Sequence, residues 1–268
     1  MLNLAAVDRG LASVQRRFFD EALPPTLSAA AFAAFDATRY DPETLAWGRE
    51  SWQLRTLDEY RSQVGFTELL MEVTELGCAF DTVTAAVRVV RDEARHVELC
   101  RRLVVALGGT DEIPGEPKYV RSDAREPLEV RVVQTIAGSL CIGECLSTAI
   151  LAATRKVTKD RLAKEVVTAL TRDESFHGQL GWTLLPQLWP MLDVKQQRRV
   201  RARIGEDLKS AKEAVFEGCG GDDSKDARNP FGHLKNDERH EVFEQALERD
   251  VLRRFRELGL VKARHAVR

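Results

Sequence analysis

The chain has 268 residues, 44% of them apolar, and 40 Lys and Arg stand against 42 Asp and Glu for a formal charge of −2. That length buries a full core, and that composition is neither disordered nor fibrous. The balanced charge gives no electrostatic footprint for nucleic acid or an anionic membrane. Apolar runs are expected to break well short of a bilayer span, and Asp8 and Arg9 interrupt any signal-peptide stretch, so a cytoplasmic location is the expectation. The five cysteines, Cys78, Cys100, Cys141, Cys145 and Cys219, lack CxxC spacing and read as reduced thiols.

The periodicity is helical nearly throughout, with no strand-like alternation. A short helix within Leu4–Ala22 should stop at Pro24-Pro25. A long helix follows from about Pro42 to Leu76, ended by Gly77. Asp81 should cap a second, which runs to Leu107 before Gly108-Gly109. After an irregular stretch with Pro114, Gly115 and Pro117, a third helix covers about Pro127–Arg155. A fourth covers about Asp160–Leu185 and should be closed by Pro186 and Pro190. Two amphipathic helices, about Asp193–Phe216 and Asn236–Leu258, flank the polar linker GCGGDDSKDARNP.

Short connections make helices one and two, and three and four, antiparallel neighbours. The nearly twenty residues between the pairs can extend about 60 Å. A helix of about 27 residues is roughly 40 Å long. The connection can therefore run the length of a bundle. The expected fold is all-α: two antiparallel hairpins joined by a long crossover, with extra N- and C-terminal helices. One domain should span 1–268, with a core at 45–190 and a helical extension at 191–268.

Two copies of Glu-x-x-His carry the chemistry: Asp92-Glu93-Ala94-Arg95-His96 and Asp173-Glu174-Ser175-Phe176-His177. Residues i and i+3 share one helix face, so each pair can bind one ion. Glu144 and Glu174 are equidistant from the turn at position 159, which places them level. In the first helix Glu59 lies on the stripe Trp52, Thr56, Glu59, Ser62, Phe66, Leu70, Val73. Glu68, Glu72 and Glu75 fall on the opposite face and are expected at the surface. The stripes Ala86, Val89, Glu93, His96, Cys100, Leu103, Leu107 and Val167, Leu170, Glu174, His177, Gly181, Leu184 put both motifs on the core side.

Four buried carboxylates without counter-charge are prohibitively costly, and two divalent cations balance them. Mixed carboxylate and imidazole ligands suit iron or manganese, either two Fe ions or a Mn/Fe pair. Glu93 and Glu174 are then the bridging ligands, His96 and His177 bind one ion each, and Glu59 and Glu144 cap the ends. Asp92 and Asp173 are candidate acceptors for the imidazole N–H groups.

This set resembles the ferritin-like di-iron carboxylate superfamily. Glu59, Ser62 and Phe66 in ExxSxxxF, Leu76-Gly77, and Asp92 to Cys100 in DEARHxxLC are similar to bacterial ferritin-like domain proteins of undefined function. The resemblance covers about residues 45–190. It implies a ferritin-like four-helix bundle and a di-iron centre, and says little about the reaction. There is no rubredoxin-type module. Leu170 stands where di-iron N-oxygenases carry a further histidine, and Phe176 replaces the arginine common in the second motif.

Thr148 and Cys100, near Glu144 and Glu93, are candidates for managing protons. The competing readings are a threonine bonded back to its helix and a small buried thiol. Gly138, Gly143, Ser147, Ser175, Gly178 and Gly181 either leave a substrate cavity or permit close packing. Cys141 and Cys145 read as packing residues, His233 and His240 as solvated, and Lys195 to Arg203 as a solvated face. Three functions follow: an O2-activating oxidase or oxygenase for a small organic substrate, needing an electron donor if an oxygenase; a ferroxidase or peroxide-handling protein; or a structural helical protein with a vestigial metal site. No nucleic acid or membrane partner is expected, and a homodimer stays open.

Overall fold

The computed structural model describes residues 1–5, 9–20, 23–119, 121–217 and 229–261. Cys219 and most of the glycine-rich linker lie outside them. Among the described residues the chain is mostly helical: α1 (Arg9–Asp20), α2 (Ala29–Ala33), α3 (Pro42–Glu75), α4 (Phe80–Ala106), α5 (Leu128–Val157), α6 (Arg161–Leu188), α7 (Val194–Glu217) and α8 (236–257). One departure from an all-helical reading is a two-residue antiparallel pairing, β1 (Leu2–Asn3) with β2 (Glu112–Ile113). Such a short pair has no room for the alternation that marks a strand.

Asp41 starts α3, accepting from the Thr44 amide at 2.8 Å, with Pro42 at the first helical position. Gly77 (φ 69°) ends it: its N–H reaches the Thr74 carbonyl and that of Cys78 reaches Val73. Gly108 (φ 82°) closes α4 in the same way, through Val105 and Val104. Asp81 is not the α4 cap: Ala79 is, and Asp81 accepts from the Thr82 amide inside the first turn. Of the two prolines expected to close α6, Pro190 follows its end and Pro186 does not close it. Pro186 lies within the helix, whose last residue is Leu188.

The α3/α4 and α5/α6 hairpins pack on one another, α4 against α6 and α3 against the start of α5. The crossover between them climbs α3 in order. Arg49 donates to the Leu107 carbonyl, Gly115 packs on Leu57, and Arg61 donates to the Glu116 carbonyl. Tyr119 then seats on Gly65, and Ser122 donates to Glu68 and Glu72. This strip covers the back of α3 and corrects one expectation. Glu72 is buried rather than at the surface, accepting from Ser122 at 2.9 Å and Arg131 at 2.8 Å.

Helix α5 is not a continuous α-helix, because Ile136–Glu144 are wound as π-helix between two α segments. It also overturns the expectation about apolar runs. Between Val132 and Arg155 the one charged residue is Glu144, and Leu128–Val157 is long and apolar enough to cross a membrane by length and composition. In the fold this helix packs against α3, α6, α7 and α8. The C-terminal region also reaches the first hairpin. Phe231 is buried against Gly48 and Tyr40, and its carbonyl accepts from Trp52 Nε1 at 3.1 Å.

Two apolar clusters fill the interior. One contains Phe66, Leu69, Val89 and Leu184; the other contains Trp52, Leu57, Leu103 and Leu170. Along α3, α4 and α6 the residues between them are Glu59, Glu93 with His96, and Glu174 with His177. A polar layer thus interrupts the core at one height.

Candidate metal centre

The helical stripes bury as their spacing predicts, which carries the polar residues inside. Glu93, His96 and His177 are fully buried, and Glu59, Glu144 and Glu174 are at most 6% exposed. Their side chains form two overlapping groups, Glu59, Glu93, His96, Glu174 and Glu93, Glu144, Glu174, His177. In each group one ligand-type atom per residue lies within 4.8 Å of the others. Glu93 and Glu174 belong to both.

Both imidazoles turn Nδ1 towards the carboxylates. His96 Nδ1 is 3.3 Å from Glu59, 3.8 Å from Glu174 and 3.9 Å from Glu93. His177 Nδ1 is 3.0 Å from Glu174, 3.2 Å from Glu93 and 3.8 Å from Glu144. The far nitrogens point to aspartates in a crossed arrangement. His96 Nε2 is 3.5 Å from Asp173, and His177 Nε2 is 3.7 Å from Asp92. Each aspartate therefore addresses the histidine of the opposite motif, not the one a turn along its own helix.

Arg95, quoted within the first motif but given no role from sequence, ties this arrangement together. Its Nη2 donates to Asp92 at 2.8 Å and to Asp173 at 2.6 Å. The signal was present, since Arg95 is i+3 from Asp92 on the same face. Phe176, at the corresponding place in the second motif, instead stacks under Arg88, 3.5 Å from the ring centroid, and Arg88 pairs with Asp92 at 3.3 Å.

Electrostatics show the tension in the cluster. Burial, then the adjacent Glu174, pushes the Glu93 carboxyl up to about 7. Burial and Glu144 hold Glu174 well above the usual carboxylate range. Burial also raises Glu59, but His96 and Arg55 outweigh it and bring that carboxyl below its ordinary value. Burial alone would depress His96, yet Asp173 and Glu59 hold it far above a free imidazole. Several buried atoms that face the site nevertheless have no hydrogen-bond partner: Glu59 Oε1, both Glu93 oxygens, Glu144 Oε2 and His96 Nδ1. Buried polar atoms are rarely orphaned, and an ion is one of the few things that resolves so many at once. The donor set fits a divalent cation.

The remaining candidates separate. Cys100 is fully buried, and burial with nearby Glu59 keeps its thiol protonated. The Thr148 hydroxyl donates to the Glu144 carbonyl at 2.7 Å, the helix back-bond that competed with a proton-handling role. A Cβ on Gly178 would meet Cys145 Sγ at 3.0 Å, and one on Gly181 would meet Leu140 at 2.6 Å, so both serve close packing. Cys145 accepts from Trp182 Nε1 at 3.0 Å, and burial raises its thiol and that of Cys141. His233 and His240 are in neither group. The Lys195–Arg203 run is only partly a solvated face: Val200 is fully buried and Arg199 donates to Glu126.

Beside Glu144 a cavity of about 290 Å³ is lined by Ser62, Gly65, Phe66, Tyr119 and Gly143 among others. Comparison of the chain with protein-family models, curated proteins and solved structures returned no match.

Proposed function

We propose that the chain is a ferritin-like, non-haem di-iron protein, an O2-activating oxidase or oxygenase for a small organic substrate. The observation that carries this reading is the convergence of orphaned buried ligand atoms into two groups sharing Glu93 and Glu174. The α3/α4 and α5/α6 hairpins with their long crossover support the ferritin-like assignment. Glu59, Glu93, His96 and Glu174 would hold one ion, and Glu93, Glu144, Glu174 and His177 the other. Bound iron supplies the electrons that ordinary side chains cannot deliver to dioxygen.

The protein's own residues do the rest. Asp173 and Asp92, 3.5 and 3.7 Å from the far imidazole nitrogens, would attract that edge of each ring and so turn both Nδ1 atoms towards the site. Arg95 fixes the aspartates. Apolar clusters on either side of the polar layer exclude water. The neutral Cys100 thiol stays out of the ligand set. The Phe66-lined cavity favours an organic substrate over iron or peroxide handling.

Oxygen uptake by the anaerobically Fe(II)-loaded protein tests this. It should exceed that of free Fe(II), rise further with a suitable small organic substrate, and disappear in Glu174→Ala. Uptake no faster than free Fe(II) contradicts the reading. Uptake that oxidises iron far beyond the bound amount and ignores every organic additive supports a ferroxidase instead.

A further inference from the structure

We infer that the cavity beside Glu144 is the substrate chamber, and that Tyr119 of the crossover is the wall that sets the size of molecule it holds. This rests on the metal-centre reading above and adds a substrate class and a specificity-determining residue to it. The chamber abuts the His177 half of the centre: Glu144 lines it, and the Phe66 ring, also in its wall, lies 6.1 Å from the His177 ring. An apolar cavity of about 150 Å³ accepts benzene. A chamber of about 290 Å³ therefore suits a small organic molecule with a body of about one substituted ring.

A second cavity of about 620 Å³ adjoins it, between the crossover, the π-helical stretch of α5 and α7. Four residues line both spaces: Tyr119, Gly138, Ser139 and Gly143. They form the partition. Two have no side chain and one has only a hydroxymethyl group, so Tyr119 supplies nearly all its bulk. The Tyr119 ring is seated on Gly65 of α3, where a Cβ would come within 2.6 Å of it, and its phenol lies beside Ser139.

The glycines of the region divide by purpose. Gly178 and Gly181 are filled against by neighbouring helices, whereas a Cβ on Gly143 would meet nothing nearer than 3.6 Å. Packing does not need a glycine there. The missing side chain leaves the room that both cavities share, where the widened π-helical turns bring Glu144 to the chamber wall.

Phenol and 2-naphthol, one and two rings, serve as probes, titrated calorimetrically against the full-length protein and its variants. Wild type should prefer phenol. Tyr119→Ala should gain about tenfold in 2-naphthol affinity, while Tyr119→Phe, which keeps the ring, should behave as wild type. Gly143→Leu, which fills the chamber, should lose about tenfold in phenol affinity. Unchanged affinities in Tyr119→Ala and Gly143→Leu, at unchanged melting temperature, overturn the inference. Metal content of the same preparations separates the two readings. A metal-free wild type with this ranking of affinities overturns the metal centre and keeps the chamber. A metal-bound wild type without the ranking keeps the centre and overturns the chamber.

Discussion

One guanidinium nitrogen of Arg95 reaches both Asp92 and Asp173, and each aspartate faces the histidine of the opposite motif. Removing one partner from a buried charge cluster strands the others without solvent. Arg95→Met should therefore cost on the order of 3 kcal/mol in urea unfolding. Arg172 also pairs with Asp173, but its side chain is 68% exposed, and Arg172→Met should stay within about 1 kcal/mol. Equal losses would contradict this ranking. Tyr40 offers a pH test away from the centre. Burial and its hydrogen bond to Asp160 push its phenol up to about 12 from its ordinary value of 10.0. A raised pKa means the folded state holds the proton more tightly. The contribution is thus full below pH 10 and is lost as pH rises from there through about 12. The difference in stability between wild type and Tyr40→Phe should shift across that window and be flat below it.

Elements explain what the sequence could and could not reveal. The six residues of the centre stood out because i,i+3 spacing, the apolar stripe that holds Glu59 and the distance of Glu144 from a short turn are local arithmetic, and the helices keep that register. Glu72 was misplaced because a helical wheel shows which face is opposite the core, not whether another strip of chain covers it. The crossover and Arg131 do so. The π-helical stretch Ile136–Glu144 was illegible for a related reason. Its apolar, glycine-containing sequence fits either winding, and the partners that decide lie on other helices. Those partners also separate glycines that look alike in sequence. Gly181→Ala, which drives a Cβ onto Leu140, should cost about 1–3 kcal/mol. Gly205 in α7 has nothing within 4 Å of an added Cβ. Gly205→Ala should stabilise by about 0.5–1 kcal/mol, since alanine is the better helix former. Thermal unfolding of the pair gives the sign directly, and a destabilised Gly205→Ala would refute it.

At the scale of the whole molecule, four helices join two apolar clusters through a layer of carboxylates and imidazoles that protein groups alone do not satisfy. Such a layer weakens a core unless something else completes it. Metal binding to the folded state should raise its stability with the logarithm of free metal once that exceeds the dissociation constant. Fe(II) should thus raise the melting temperature of wild type and leave Glu93→Ala and Glu174→Ala unmoved. The most direct test of the account is the metal content of full-length protein prepared with iron in excess. The account predicts about two ions per chain, with stoichiometric binding lost in Glu93→Ala and Glu174→Ala, because both groups of ligands share those carboxylates. A wild-type protein that folds normally and retains no stoichiometric metal, with both variants equally well folded, would contradict it.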